Sequence, residues 1–341
     1  MALPESPCCV LKYHRYAVLG SNSFAGAAFV ARAVSDGADV IGFNRSAESS
    51  PIFLPYRNLK SGGSYTFVQA DINHDRDVIL TQLDKFHPQI VVDFAGQGMV
   101  AESWQNPAQW YTTNVVAKVQ LHDELRRRDW MERYVRVSTP EVYGSQESLL
   151  KETWQYNPST PYAVSHAAVD MSLRCFQQQY DFPVIFTRFA NFYGPGQQLY
   201  RIVPRTIIYA LSGKKLQLHG GGTSVRAFIC GADVADALMR TIDSGVVGDA
   251  YHFSPERFLS IRKVIEIICE RMEVDFSELV ELSPERPSKD QAYLMDSKKA
   301  RNSLGWQESV TFEEGIDATA QWVRESFDEI SSLPLNYIHK V

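Results

Sequence analysis

The stretch "YAVLGSNSFAGAAFVARAVSDG", residues 16–37, decides the fold class of this chain of 341 residues. It starts with a short apolar run typical of a buried strand and ends with apolar residues at helical spacing. A turn joins the two patterns, and it runs from Gly20 to Gly26 with Ser23 between them. Glycines at such a turn let the backbone approach a pyrophosphate, which rests on the helix N-terminus. The stretch therefore predicts a dinucleotide-binding turn, with a plain structural turn as the alternative.

The alternation of strand-like and helix-like segments continues as far as Asn191. Segments that alternate in this way are typical of a doubly wound parallel α/β sheet, whose ligands bind beyond the carboxyl ends of the strands. After Asn191 the pattern loosens and predicts a smaller lobe that closes over the ligand edge of the sheet. The predicted strands cover 16–20, 38–44, 64–71, 89–96, 133–139 and 182–191, and the predicted helices cover 23–37, 76–86, 107–129 and 161–180.

The composition argues against nucleic acid, membrane and metal partners. The net charge of −6 and the pI near 5.8 do not suit nucleic acid as the main partner. The most apolar stretches fall far below the roughly 18 residues of a membrane span, and the N-terminus does not resemble a signal peptide. The five cysteines have no metal-type spacing apart from the adjacent pair Cys8 and Cys9. This pattern predicts a reducing compartment, the cytoplasm, and no disulfides.

The end of the second predicted strand bears on the choice of cofactor. An acidic residue at this place binds the ribose hydroxyls of NAD, whereas an arginine suits the 2′-phosphate of NADP. Here the strand ends with Asn44 and Arg45. The expected cofactor is therefore NAD or NADP, with Arg45 favouring NADP. A solvated surface arginine is the alternative interpretation.

The motif "VSTPEVYG", residues 137–144, follows the fifth predicted strand and so lies at the ligand edge. Thr139 can donate a hydrogen bond to a reacting hydroxyl or carbonyl group, and Glu141 is a candidate base. The alternative is a simple turn, which Pro140 favours.

The motif "PYAVSH", residues 161–166, opens a predicted helix. Tyr162 and His166 are four residues apart, so they share one helix face. Tyrosine is a poor base unless a positive charge stabilises its phenolate, and histidine is mostly neutral at pH 7. Replacement of His166 by lysine is therefore expected to move activity to lower pH. Two ordinary neighbours on a helix are the alternative.

Together these motifs resemble the extended short-chain dehydrogenase/reductase family, and specifically its nucleotide-sugar 4,6-dehydratases. Members of that group show a Thr-Asp-Glu or Thr-Ser-Glu trio before Val/Leu-Tyr-Gly, and then a Tyr-x-x-x-Lys helix. The resemblance spans nearly the whole chain and continues through "AD" (70–71), "DFAGQGMVAESWQNP" (93–107), "TNV" (113–115), "RFANFYGPGQ" (188–197), "GGGTSVRAFICGADVADAL" (220–238) and "ERPSKDQAYLMDSKKARNSLGW" (285–306).

The resemblance implies a Rossmann domain, a nucleotide-sugar-binding lobe and a homodimer. The Rossmann domain is expected at 14–194 with a return segment at 227–254, and the lobe at 195–226 and 255–335. The implied catalytic residues are Thr139, Glu141, Tyr162 and His166. The implied cofactor contacts are Gly20, Ser23, Phe24, Gly26, Asn44, Arg45, Asp71, Ile72, Ala95, Asn114, Tyr162 and His166, and the implied contacts to a nucleotide-diphosphate sugar are Asn191, Arg226, Arg286 and Asp290.

The implied reaction is the dehydration of a nucleotide sugar. Tyr162 takes the C4 hydroxyl proton while hydride passes to the nicotinamide, and Glu141 takes the C5 proton. Loss of the C6 hydroxyl then gives a 4-keto-6-deoxy sugar. Ser23, Pro140 and His166 depart from the family pattern, and Pro140 cannot protonate the leaving hydroxyl as an acid would. An epimerase working through the same 4-keto intermediate is one alternative, and a catalytically degenerate sensor or scaffold is another.

Overall fold

A large parallel sheet with helices on both faces carries a smaller lobe beside it. The computed structural model describes residues 11–145, 148–284 and 292–340. Seven strands form the large sheet in the order β10-β6-β5-β4-β1-β2-β3, and each neighbouring pair runs parallel. This sheet confirms the predicted doubly wound α/β class. The strands are β1 (Arg15–Leu19), β2 (Asp39–Asn44), β3 (Tyr65–Gln69), β4 (Ile90–Asp93), β5 (Arg133–Ser138), β6 (Val184–Phe189), β7 (Asn191–Tyr193), β8 (Leu216–His219), β9 (Val225–Cys230), β10 (Ala250–Phe253), β11 (Phe258–Ser260) and β12 (Val280–Ser283).

Helices cover the sheet and build most of the lobe. Among the described residues, no helix is both long enough and apolar enough to cross a membrane. The helices are α1 (Phe24–Ser35), α2 (Arg76–Phe86), α3 (Pro107–Tyr111), α4 (Lys118–Leu125), α5 (Pro161–Tyr180), α6 (Ile202–Ser212), α7 (Gly231–Ser244), α8 (Ile261–Met272), α9 (Phe276–Leu279), α10 (Lys298–Leu304), α11 (Phe312–Glu325) and α12 (Phe327–Ser331).

Strand β1 shows why the large sheet is buried on both faces. Successive side chains of a strand point to opposite faces. Tyr16 and Val18 accordingly pack in one apolar cluster with α1 and α7, whereas Ala17 and Leu19 pack in a second cluster with α2 and α5. A strand covered on both faces needs a continuous apolar run rather than an alternating one. The sequence of β1 has this run, and its ligand edge is therefore fixed by two packed layers.

The lobe has an apolar core of its own. Ile207 of α6, Ile268 of α8 and Ile316 of α11 are fully buried and belong to this one core. Two small sheets flank it, one of the order β11-β9-β7 and one that pairs β12 with β8. Because β7 follows β6 almost directly, the lobe begins at the carboxyl edge of the large sheet.

The predicted boundary assigns residues 295–306 to the lobe, but in the structure they pack against the large sheet. Met295, Ala300 and Trp306 are buried in the cluster beneath the large sheet. The ring of Trp306 meets that of Phe253 in β10, with centroids 5.2 Å apart. The apolar face of α10 thus covers the edge of the large sheet, and the chain returns to the lobe only with α11.

The long helix predicted at 107–129 is interrupted in the structure. Between α3 and α4 lies a π-helical turn, Thr112–Ala117, and α4 ends at Leu125. Asn114 sits in this turn, where its Oδ1 accepts from Gln97 N at 2.7 Å and its Nδ2 donates to Ser165 Oγ at 3.0 Å. Single π-turns inside helices are frequent at functional sites. Here the turn lets one amide fasten the loop after β4 to α5.

Candidate active site

The turn after β1 is shaped by Gly20 and Ser23. Gly20 has a φ of 83°, and a Cβ at this position would lie 2.9 Å from Ala95 N. Ser23 is the N-cap of α1: its hydroxyl donates to Gly20 O at 2.7 Å and accepts from Gly26 N at 3.1 Å. The serine that replaces a glycine of the family pattern therefore closes the turn by capping the helix. The backbone cradle and the helix N-terminus fit the pyrophosphate of a dinucleotide.

A cavity of about 230 Å³ opens at the carboxyl ends of β1, β2 and β4. This is the edge at which doubly wound sheets bind their ligands. The residues that sequence analysis proposed and that line this cavity are Gly20, Ser23, Asn44, Arg45, Asp71, Ile72 and Ala95. Their chemistry, a glycine turn followed by polar groups at successive strand ends, fits the adenosine diphosphate half of a dinucleotide.

The remaining proposed cofactor residues stand behind or beside this cavity. Gly26 lies in α1, where a Cβ would approach Gly20 O to 2.3 Å, so its role is the close packing of helix and turn. Phe24 packs against Phe192 with ring centroids 6.4 Å apart. The side-chain amide of Asn114 hydrogen-bonds to the loop after β4 and to α5, as described above. These three residues support the cavity walls without lining them.

The segment near residue 340 forms a wall of the cavity that sequence analysis missed. Lys340 O accepts hydrogen bonds from Arg45 Nη2 at 2.9 Å and from Gln97 Nε2 at 3.0 Å. Its Nζ donates to Ser46 Oγ at 3.1 Å. One residue earlier, His339 stacks on Trp110 with ring centroids 5.3 Å apart and an interplanar angle of 7°. Nothing local in this polar segment marks it as part of a ligand site.

Thr139 and Glu141 follow β5 directly and turn toward the ligand edge. Pro140 occupies the first position of a 3₁₀ turn, Pro140–Tyr143, and its fixed φ suits that position. Thr139 caps this turn, because its Oγ1 accepts from Glu141 N at 3.3 Å. The proline that replaces an acid in the family pattern thus has a structural role, the placement of Glu141.

Tyr162 stands in the first turn of α5, opposite the Thr139 turn. Its backbone N donates to Ser103 Oγ at 3.2 Å, which ties α5 to the loop after β4. Burial and the Glu141 carboxylate raise the pKa of Tyr162 to about 12, against the opposing effects of a Thr139 hydrogen bond and of Arg201 and Arg136. The influence of Glu141 and Thr139 on this phenol shows that the structure brings the three proposed residues together. Arg201, at the start of the lobe, was missed by sequence analysis.

His166 lies one helical turn below Tyr162 and faces the protein interior. The two rings are 4.6 Å apart between centroids. His166 Nδ1 accepts a hydrogen bond from Arg136 Nη2 at 3.0 Å. Burial lowers the pKa of His166 well below its usual value, and the cations Arg136, Lys118 and Arg188 lower it further.

Beneath His166 lies a cluster of five charged side chains, which we call the interior charge cluster. Its members are all at most 2% exposed: Asp93, Lys118, Arg136, Asp170 and Arg188. Lys118 Nζ is 2.6 Å from Asp93 Oδ2, and Arg188 Nη2 is 3.0 Å from Asp170 Oδ2. Burial lowers the pKa of Lys118 to about 8, so at neutral pH three cations and two carboxylates leave the cluster with one net positive charge. Charged residues inside the apolar strands, as in "IVVDF" and "YVRVS", are the signal that could have revealed it.

The proposed substrate residues lie on the lobe side of the cleft. Arg226 is 8% exposed on β9, and its guanidinium lies 4.5 Å from the centroid of the Tyr293 ring. Asn191 is exposed at the start of β7, the strand that pairs with β9. The proposed contacts Arg286 and Asp290 lie outside the described residues.

Known proteins resemble this chain along most of its length. Residues 18–319 match the family model described as GDP-mannose 4,6 dehydratase. A dTDP-glucose 4,6-dehydratase of Xanthomonas campestris pv. campestris is 30% identical, and the match covers 89% of this chain and 92% of that protein.

Solved structures agree with this relationship. DesIV, a dTDP-glucose 4,6-dehydratase from Streptomyces venezuelae with NAD and TYD bound, has a TM-score of 0.83 and 27% identity over 92% of this chain and 98% of its own. A UDP-glucose 4-epimerase from Thermus thermophilus in complex with NAD has a TM-score of 0.81 and 25% identity over 91% of this chain and 99% of its own.

Proposed function

We propose that this chain, which belongs to the GDP-mannose 4,6-dehydratase family, is a nucleotide-sugar 4,6-dehydratase that works with a tightly held NAD or NADP. The substrate is a nucleoside diphosphate sugar with free hydroxyls at C4 and C6, and the product is its 4-keto-6-deoxy derivative. A dinucleotide held by the cavity residues would supply a reversible hydride acceptor. The observation that carries the proposal is the convergence of Thr139, Glu141 and Tyr162 at the carboxyl end of β5.

Tyr162 is the base for the C4 hydroxyl. Its phenolate takes the hydroxyl proton as C4 becomes a ketone. The Thr139 hydroxyl orients the phenolate and the C4 hydroxyl of the substrate. The pKa of about 12 opposes this task in the substrate-free protein. Positive charges near the phenol lower its pKa and so favour the phenolate, and Arg201 and Arg136 both have this effect.

Glu141 is the base for the C5 proton. A C4 ketone acidifies the neighbouring C5–H, and a carboxylate within the site can remove it. Departure of the C6 hydroxyl as water requires one proton. Pro140 has none to give, so Glu141, which has just become a carboxylic acid, returns the proton from C5 to the leaving oxygen. The same carboxyl group then serves as base and acid, and one water is released. Formation of the 4-keto-6-deoxy product requires the hydride to return to C6 and a proton to reach C5. The protonated Tyr162 supplies that proton by way of Glu141, so both side chains end in their starting states.

NADP is the proposed preferred dinucleotide, since Arg45 lines the cavity at the end of β2. Fluorescence titration with each dinucleotide decides this point. Binding of NADP at least tenfold tighter than that of NAD supports the proposal, and tighter binding of NAD contradicts it.

A homodimer in the cytoplasm is the proposed assembly. Two neighbouring segments present large apolar side chains to solvent: Val116 in the π-turn is 51% exposed, and Met171 in α5 is 57% exposed. Apolar groups clustered on adjacent helices are typical of interfaces between subunits. Light scattering should give twice the mass of one chain, and Met171→Glu should return the protein to a monomer. A monomeric wild-type protein would contradict the proposal.

Incubation with a panel of nucleotide sugars, followed by mass spectrometry, tests the activity itself. Loss of one water supports dehydration, whereas a change of configuration without loss of mass supports the epimerase alternative, which the absence of an acid at Pro140 favours. Glu141→Gln should abolish water loss but allow cofactor reduction in a single turnover. Glu102→Gln is the matched control, because Glu102 lies beside the Ser103 contact to Tyr162 yet has no assigned step. Full dehydration by Glu141→Gln, or its loss in Glu102→Gln, would refute the assignment.

A further inference from the structure

We propose that Arg136 is a positioning residue for this reaction, and that it supplies from the interior the positive charge that position 166 lacks. It holds His166 as a neutral imidazole with the proton on Nε2, and it places a permanent charge next to the Tyr162–His166 pair. The inference rests on the proposed role of Tyr162 as the C4 base.

The hydrogen bonds of Arg136 fix the protonation state of His166. Arg136 is 0% exposed in β5, and its three nitrogens have three different partners. Nε donates to Asp170 Oδ1 at 3.3 Å, Nη1 to Asp93 Oδ2 at 3.4 Å, and Nη2 to His166 Nδ1 at 3.0 Å. A guanidinium has donors only, so Nδ1 must be an acceptor. A neutral ring with an unprotonated Nδ1 carries its hydrogen on Nε2.

The net charge of the interior charge cluster excludes a second proton on His166. Its three cations outnumber its two carboxylates by one, and all five groups are withdrawn from water. A cation at His166 would add to this excess in a medium of low dielectric constant, where repulsion is strong. His166 therefore stays neutral and remains a donor at Nε2 over the whole working pH range. In the described part of the chain, no group accepts a hydrogen bond from Nε2, so it is available to a ribose hydroxyl of the cofactor.

The charge that acts on Tyr162 comes from outside α5. The groups that act most strongly on the pKa of Tyr162 are Glu141, which raises it, and Thr139, Arg201 and Arg136, which lower it. Arg201 is exposed and screened by solvent, whereas Arg136 is fully buried and is not. Arg201 has the larger effect on Tyr162 in the static structure, but its exposure weakens that effect in solution. Arg136 thus supplies the unscreened part of the charge that a lysine four residues after the tyrosine supplies in the family pattern.

This arrangement reverses the expectation for the lysine variant. From the sequence, His166→Lys restores the family motif and should improve the enzyme. In the structure, Arg136 Nη2 is 3.0 Å from the His166 ring, so this substitution places an ammonium group close to the Arg136 guanidinium and adds no carboxylate to balance it. His166→Lys alone should therefore lose stability and activity. His166→Lys combined with Arg136→Gln should recover both, since one interior cation is exchanged for another.

Nitrogen NMR of the histidine-labelled protein tests the tautomer without any turnover. The signals of His166 are assigned by their loss in His166→Gln. We expect the Nε2–H pattern at every pH between about 6 and about 9, where an unperturbed histidine with a pKa near 6.5 would titrate. The Nδ1–H tautomer, or a titration in this range, would overturn the proposal. Lys118→Met is the comparison variant: it removes an equally buried cation that lowers the pKa of His166 but does not donate to its ring. The Nε2–H tautomer should therefore persist near pH 9 in Lys118→Met, whereas Arg136→Gln should abolish the preference for it.

The pH dependence of cofactor reduction in single turnovers tests the electrostatic role. Arg136→Gln should move the rising limb to higher pH by about one unit or more, and Lys118→Met should move it less, since Lys118 is not among the groups that act most strongly on the pKa of Tyr162. If Arg136→Gln does not fold, the lysine double variant decides. Full activity and stability of His166→Lys with Arg136 intact would refute the inference. Should the wild-type protein act on no nucleotide sugar, the proposed function fails, while the NMR result and the stabilities of the lysine variants still decide the role of Arg136.

Discussion

Replacing Asp93 with asparagine removes one of the two carboxylates that balance the interior charge cluster. Asp93 is 0% exposed, and its Oδ2 lies 2.6 Å from Lys118 Nζ and 3.4 Å from Arg136 Nη1. Asparagine keeps the volume but leaves these cations with one counter-charge fewer. Breaking a buried ion pair by removal of one partner costs about 3–5 kcal/mol. At an unfolding entropy of about 2 cal/mol/K per residue, 341 residues convert this loss into a fall in melting temperature of about 4–7 °C.

Thermal unfolding of four proteins measures this balance: wild type, Asp93→Asn, Lys118→Met, and the double variant. Removal of both partners takes out a cation and a carboxylate together, so the double variant should melt above Asp93→Asn. The interaction free energy from the cycle should be about 2 kcal/mol or more in favour of the native pair. A melting temperature of Asp93→Asn within about 1 °C of wild type would contradict this account, as would strictly additive losses of stability. Either result would show that loss of Asp93 leaves no costly unpaired charge in the interior.

Three further changes test other parts of the molecule. Arg226→Ala should raise KM for the nucleotide sugar by about 10- to 100-fold, the loss of one charged hydrogen bond, with cofactor affinity spared; equal weakening of both would make the residue structural. Burial lowers the pKa of His122 to about 3, so its unfolded form takes up a proton first and stability falls as pH drops below about 6.5. Between pH values of about 7.5 and 5.5, the free energy of unfolding measured with urea should fall by about 1.4 kcal/mol less in His122→Gln than in wild type. An equal fall in both proteins would contradict this account. Arg45→Ala should weaken NADP binding about tenfold and leave NAD binding unchanged, as titration of each dinucleotide would show, and equal effects would exclude a contact to the 2′-phosphate.

The fold was predictable because its signals are local. A continuous apolar run such as "YAVL" followed by a helical pattern marks a buried parallel strand wherever it occurs. The cavity residues Gly20, Asn44, Asp71 and Ala95 could be found for the same reason, since each comes at or just after the end of such a strand. In a parallel sheet these ends meet at one edge, so spacing along the chain becomes proximity in space.

The support of the site was not predictable in this way, because it depends on packing between distant elements. His166 looked like a lysine that had lost its charge, and only the neighbouring strand shows that Arg136 carries a charge in its place. Ser23 and Pro140 looked like losses of a glycine and an acid, whereas their geometry makes them caps of a helix and of a 3₁₀ turn. A motif comparison records only the residue that is missing at a position. The compensating group can lie on another element altogether.

The position of Lys340 on the wall of the dinucleotide cavity has a practical consequence for any fusion to this protein. A group attached at Lys340 would lie beside Arg45 and Gln97, against the cavity. A bulky group attached there would lie against the cavity wall, and affinities for a dinucleotide measured in its presence would include its effect. A small fluorophore attached at the same place would instead lie beside the cavity and would report its occupancy. The site of attachment therefore decides whether an added group obstructs the enzyme or reads it out.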